Sequence, residues 1–125
     1  MTPQQYADAA QCQLKIVSAG LSLAKKARKL TLSAGLELAE AGLCGLNVLA
    51  GDAISQGLEE RDVELYQAQV DKIAGHVLNA KNAKKRKEIS AHVAKAKHDK
   101  KRLSSALRER FINRPDGDVV AQIGT

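Results

Sequence analysis

Residues 18–50, SAGLSLAKKARKLTLSAGLELAEAGLCGLNVLA, decide the fold. Over 30–50, sixteen of 21 residues are apolar or glycine, and Glu37 and Glu40 are the charged ones. Helical spacing sorts the apolar residues into two stripes. One runs Ile16, Gly20, Leu23, Ala27, Leu30, Ala34, Leu38, Ala41, Gly45, Val48, and the other Leu32, Leu36, Ala39, Leu43, Leu46, Ala50. A helix that is apolar nearly all round must be covered by partners or by lipid. A two-helix hairpin hides one stripe, so the second needs another neighbour. A chain bend near 79–88 supplies it within one molecule, and self-association into a ring or tube supplies it between copies. Gly35, Leu36, Ala39, Leu43, Gly45, Leu46 and Val48 are therefore the expected helix-packing and oligomer-interface residues.

The stretch also carries an internal echo. SAGLSLA at 18–24 returns as SAGLELA at 33–39, fifteen residues later. Fifteen residues over four turns is looser than the ideal period, which in one continuous helix favours right-handed supercoiling. Small residues recur at four-residue spacing, as Gly20/Ala24, Gly35/Ala39 and Ala41/Gly45. Glycine inside a helix costs about 1 kcal/mol relative to alanine, so these positions point to close backbone approach by a neighbour.

Working outward, Thr2, Pro3 and Gln5 form a helix start: N-cap, first helical position and capping-box partner. From there the pattern reads as one helix to about residue 50. Gly51-Asp52 and Gly57 mark a turn, with Asp52 or Ser55 as the next cap. Val63, Tyr66, Val70, Ile73, Val77 and Ala80 then keep heptad spacing. The phase is lost over 81–88 (KNAKKRKE) and restarts as Ile89, Val93, Ala96, Leu103, Leu107, Phe111. Asn113-Arg114-Pro115-Asp116-Gly117 is a stop. The expected architecture is all-α, a long helical hairpin or three-helix arrangement over about 3–50, 53–80 and 83–113. It forms a single domain, 1–113, followed by an extended tail, 114–125. Only Pro3 and Pro115 are prolines and aromatics are 2% of the chain, which excludes sandwiches, barrels and doubly wound sheets.

Charge is segregated along the chain. Residues 37–71 hold eight acids against Arg61, and residues 81–114 hold thirteen cations against Glu88, Asp99 and Glu109, within a total of +6. Ten of those cations, Lys81, Lys84, Lys85, Arg86, Lys87, Lys95, Lys97, Lys100, Lys101 and Arg102, crowd into 22 residues. Such a segment fits phosphate on nucleic acid, anionic lipid headgroups, or the acidic segment of a neighbouring copy. With so few aromatics, base stacking is not the expected mode. The contact would be sequence-blind and steeply salt-dependent.

No catalytic or cofactor constellation stands out. His76, His92 and His98 are sixteen and six residues apart, not the three or four that put metal ligands on one helical face. Glu59, Glu60, Asp62 and Glu64 read as a solvated acidic face. Phosphate-loop and dinucleotide motifs are missing from the sequence, so the expectation is a non-enzyme without cofactor, metal or small-molecule substrate. Cys12 and Cys44 read as two small, reduced core residues in helices. The first residues carry neither a basic nor an apolar leader pattern, so cytoplasmic synthesis is expected. Glu37 and Glu40 would each cost about 2.5–3.5 kcal/mol near a bilayer centre, which argues against a constitutive span over 30–50.

In composition and layout over residues 3–113, small, Ala/Gly/Leu-rich, helical and basic, the chain resembles the internal or ejection proteins of short-tailed bacteriophage virions. No diagnostic motif carries the likeness, and no site residue transfers. The resemblance implies a self-assembling structural protein, incorporated in a virion, that reassembles as a helical channel or lining for DNA passage. Two alternatives stand beside it. One is a sequence-nonspecific nucleic-acid-binding accessory protein with 81–112 as its phosphate-facing helix. The other is a helical chaperone or secretion adaptor whose groove at 30–50 holds another protein's helix.

Overall fold

The structure, a computed structural model, describes residues 2–25 and 29–109, the side chains of 29–31 excepted. The described residues form four helices: α1 (Pro3–Lys25), α2 (Lys29–Ser55), α3 (Glu60–Asn82) and α4 (Arg86–Leu107). The chain is all-α, with one helix more than the three expected. The expected tail, 114–125, and Phe111 lie outside the described residues.

The extra helix comes from the first expected element. It is not continuous from 3 to 50, because the chain reverses between Lys25 and Lys29 and α2 packs antiparallel on α1. No Gly or Pro forces the break. It falls at the KKARK run, the polar interruption between the two SAGL segments. Folding back there lets the first segment cover the second. The echo is thereby explained, and differently from a supercoil period: its two copies pack on each other. A Cβ on Gly20 would run into the backbone of Ala39 and Gly35, and one on Gly35 would sit 2.5 Å from both Ala24 N and Gly20 O. Gly42 presses on Val17 in the same seam. Only glycine admits so close an approach.

The second boundary also moves. α2 runs through Gly51 and Asp52 to Ser55, with Ala53 fully buried. The turn lies at Gln56–Glu59, where Gly57 adopts φ 103°. Neither Asp52 nor Ser55 caps the next helix; Glu59 holds the N-cap of α3 without a side-chain bond. Gly51 was a poor stop because an open helical glycine costs only its intrinsic propensity, which the buried Ala50 and Ala53 offset. The break between α3 and α4 falls at 83–85, inside the predicted bend. The Thr2–Gln5 capping box is formed, Gln5 N donating to Thr2 Oγ1 at 3.1 Å and Thr2 N to Gln5 Oε1 at 2.9 Å.

Each helix packs on its sequence neighbours, α1 on α2 most extensively, and α4 closes the cycle on α1. α2 thus sits across the bundle from α4. The core takes Leu14, Val17 and Leu21 from α1, Leu36, Ala39, Leu43 and Leu46 from α2, the predicted heptad of α3, and Val93, Ala96, Leu103 and Leu107 from α4. Tyr6 and Tyr66 meet within it, ring centroids 6.4 Å apart. No polar or charged residue is buried among the described residues. The stripe Leu36, Ala39, Leu43, Leu46 and Ala50 is covered by helices of the same chain, whereas in the other stripe Ala34, Ala41 and Val48 are exposed and Leu38 and Gly45 half-buried. Of the expected packing residues, Gly35, Leu36, Ala39, Leu43 and Leu46 are buried and Gly45 is half-buried beside Gln13. Val48 is 60% exposed.

Candidate polyanion-binding surface

α3 ends where Ala83 N donates to Asn79 O at 2.9 Å and the backbone turns extended through Ala83. Lys85 is the extended N-cap of α4 and makes no side-chain cap bond. Lys84, Lys85, Arg86 and Lys87 therefore gather at the N-terminus of α4, all exposed. That end of a helix carries the positive pole and unpaired N–H groups, so cations there oppose the dipole. Asp, Ser or Thr would serve the fold better at Lys85.

Lys95, Lys101 and Arg102 are also exposed, while Lys97 and Lys100 are half-buried. Along α4 the cations span from Arg86 to Arg102, about 24 Å at 1.5 Å per residue. Lys81 stands apart: its Nζ donates to Glu40 Oε1 of α2 at 2.9 Å. That bond first, then the charge of Glu40, raises its pKa. Lys84, Lys85, Lys87, Lys95, Lys97, Lys100, Lys101 and Arg102 have no ion-pair partner among the described residues. Burial lowers the pKa of Lys100, and the charges of Lys101 and Lys97 lower it further.

α2 carries Glu37, Glu40 and Asp52, and α3 opens with Glu60, Asp62 and Glu64. α2 lies diagonal to α4, but Glu37 and Glu40 stand at the end of the bundle where α4 begins: Glu40 accepts from Lys81, and Glu37 lines one groove with Lys81 and Ile89. Two polar ties hold α4 in register. On the α3 side, His76 Nε2 lies 3.0 Å from Asp99 Oδ2. On the α1 side, Gln11 Nε2 donates to Ser104 O, and Ser104 Oγ donates to Gln11 Oε1, both at 2.9 Å. His76 and Asp99 were not paired by the sequence reading, since 23 residues separate them.

Elsewhere the surface offers open grooves. One, at the end of the bundle, is lined by Leu32, Leu36, Ala80 and Ile89 with Glu37 and Lys81 at its rim. Another runs over the outside of α2 along Ala41, Cys44, Gly45, Val48 and Leu49. Cys12 and Cys44 are both exposed, not core residues as expected. Among the described residues no three His, Cys, Asp or Glu side chains converge as metal ligands. Leu32–Ser55 is long and apolar enough to cross a membrane by length and composition. Its Leu36, Leu43 and Leu46 are spent on the bundle core. Comparison with protein-family models, curated proteins and solved structures finds no match to this chain.

Proposed function

We infer that this chain is a non-enzymatic, structural four-helix bundle that contacts nucleic acid through phosphates along α4. One observation carries the reading: α4 places its cations where they work against the fold. Four crowd the positive pole of the helix, and eight of the ten in 81–102 lack an ion-pair partner among the described residues. A face kept only for solubility would mix signs or put its lysines at the C-terminal end. A polyanion offsets both costs at once. Phosphate contacts carry no base information, so the bundle positions nucleic acid without reading it.

The test is binding to two unrelated DNA duplexes at low salt. Equal affinity for both is expected, and a Lys84/Lys85/Lys87→Gln variant should bind several-fold more weakly with an unchanged helical spectrum. Absence of binding, or binding indifferent to the three substitutions, refutes the reading.

A second reading, self-assembly as in the virion proteins the chain resembles, draws on the outer face of α2. There Val48 is exposed beside Ala41, Cys44 and Gly45 over an open apolar groove. The α2 stripe that carries Leu36, Leu43 and Leu46 is covered inside one chain, whereas Ala34, Ala41 and Val48 of the other stripe are exposed and leave a face for a second copy. A solution mass equal to one chain at all concentrations rejects self-assembly and leaves the phosphate reading intact.

A further inference from the structure

The stripe that seats α4 in the bundle runs Ile89, Val93, Ala96, Lys100, Leu103, Leu107, in alternating steps of four and three. Five members are apolar and lie in or against the core. The sixth is a lysine, half-buried, at a position that the packing of α4 would fill with leucine. Burying an ammonium without a partner is costly, and the long stem relieves this only in part by carrying the charge toward solvent. Lys97 and Lys101 crowd the same charge and raise the cost.

Among the described residues no acid pairs with Lys100. The acids of α4 nearest in sequence are Glu88 and Asp99, and Asp99 is held by His76 on the α3 side. On the α1 side the Gln11–Ser104 bonds fix the antiparallel register. One turn along from that pair, Lys15 of α1 comes level with Lys100 of α4. The seam between these two helices is also the least extensive of the four helix contacts. It therefore has cations on its α4 wall, a further exposed cation of α1 at the same level, and the least packing to prevent entry.

We propose that the α1/α4 seam is a phosphate site, in which Lys97, Lys100 and Lys101 hold one phosphodiester of bound nucleic acid and Lys15 faces the same strand. This rests on the reading of α4 as the nucleic-acid contact and adds to it a located, partly desolvated anchor. The other cations act at a distance as an exposed field, whereas this cluster makes charge-assisted hydrogen bonds to a defined group. In the free protein the site stores its cost as mutual repulsion, and a phosphate relieves it.

The experiment compares three proteins by binding to duplex and to phosphatidylserine vesicles, and by thermal melting. Lys100→Met restores an apolar stripe at similar length, and Lys72→Gln removes one exposed cation of α3, outside the basic segment, as the control for net charge. Lys100→Met should melt higher than wild type yet bind a 16-base-pair duplex about tenfold more weakly, the scale of a lost charge-assisted bond. Lys72→Gln should bind within about threefold of wild type, as exposed charges away from the contact do. If wild type binds and the two variants lose affinity equally, the seam is not the anchor, and α4 as the contact is judged by the Lys84/Lys85/Lys87→Gln variant. If wild type does not bind duplex, both readings fall together. A lower melting temperature for Lys100→Met overturns the proposal, since Lys100 would then serve the fold. So would loss of binding confined to phosphatidylserine vesicles, which would assign the seam to lipid.

Discussion

Replacing Gly35 by alanine separates the proposed helix seam from every looser arrangement of the same helices. Alanine is the better helix former by about 1 kcal/mol, so on an open helix the change stabilises. In the α1–α2 seam the new methyl would lie 2.5 Å from Ala24 N and from Gly20 O, and 3.0 Å from Leu23 Cβ. Two of these are backbone atoms that no rotamer change can move. Ordinary contact begins near 3.4 Å, so the helices must part by close to 1 Å. A gap of 0.5–1 Å forfeits about a quarter to a half of each dispersion contact along the seam. Overpacking of this kind costs about 1–3 kcal/mol or more. With two unyielding backbone atoms at 2.5 Å the cost falls in the upper part of that range, so net of the propensity gain Gly35→Ala should destabilise by about 1–2 kcal/mol. For a chain of this length that lowers Tm by roughly 3–10 °C. Gly75→Ala is the internal control, because nothing lies within 4 Å of its added methyl. It should gain up to about 1 kcal/mol. Opposite signs in urea and thermal melts are the expected result. If both variants gain stability, Gly35 faces open space and the reciprocal packing of the two SAGL segments is wrong.

Other expectations follow from burial and charge. Leu43→Lys puts an unpaired ammonium at a site only 4% exposed and should cost at least about 3 kcal/mol, read as loss of cooperative melting; a variant that melts like wild type would place Leu43 at the surface. Lys81→Gln breaks an exposed, solvent-screened pair and should leave the urea midpoint essentially unchanged. Burial, and next the neighbouring Tyr66, push the Tyr6 phenol up to about 12 from 10.0. The folded state thus holds a proton that the unfolded state releases, so the stability tied to it is intact below pH 10 and is lost as pH rises from 10 to 12. That loss is on the order of 2 kcal/mol, and Tyr6→Phe should remove this step from an alkaline unfolding series.

The heptads of α3 and α4 were legible because each keeps one narrow apolar stripe against a polar remainder. The capping box was legible because Thr2 and Gln5 act over three residues. The division of 3–50 was not, because the KKARK run contains no breaker and each half is a good helix. Only the gain from packing one half on the other separates them, and that gain lies between residues distant in sequence. The echo held the clue, since two small-residue segments of matching spacing can pair as readily as they can continue. The same limit hid His76–Asp99 and Glu40–Lys81, which are contacts between helices. Lys100 was within reach: the step from Ala96 to Leu103 skips one heptad position, and a lysine fills it.

Amide shifts of the labelled chain, followed by NMR as a short duplex is titrated in at low salt, test the central claim most directly. The account predicts that shifts concentrate on Lys84–Ser104 of α4 and on the α1 residues beside Gln11 and Lys15. The outer face of α2, from Ala41 to Asp52, should stay unmoved, and all shifts should reverse as salt is raised. Shifts centred on α2 and the start of α3, or none at any duplex concentration, would contradict it.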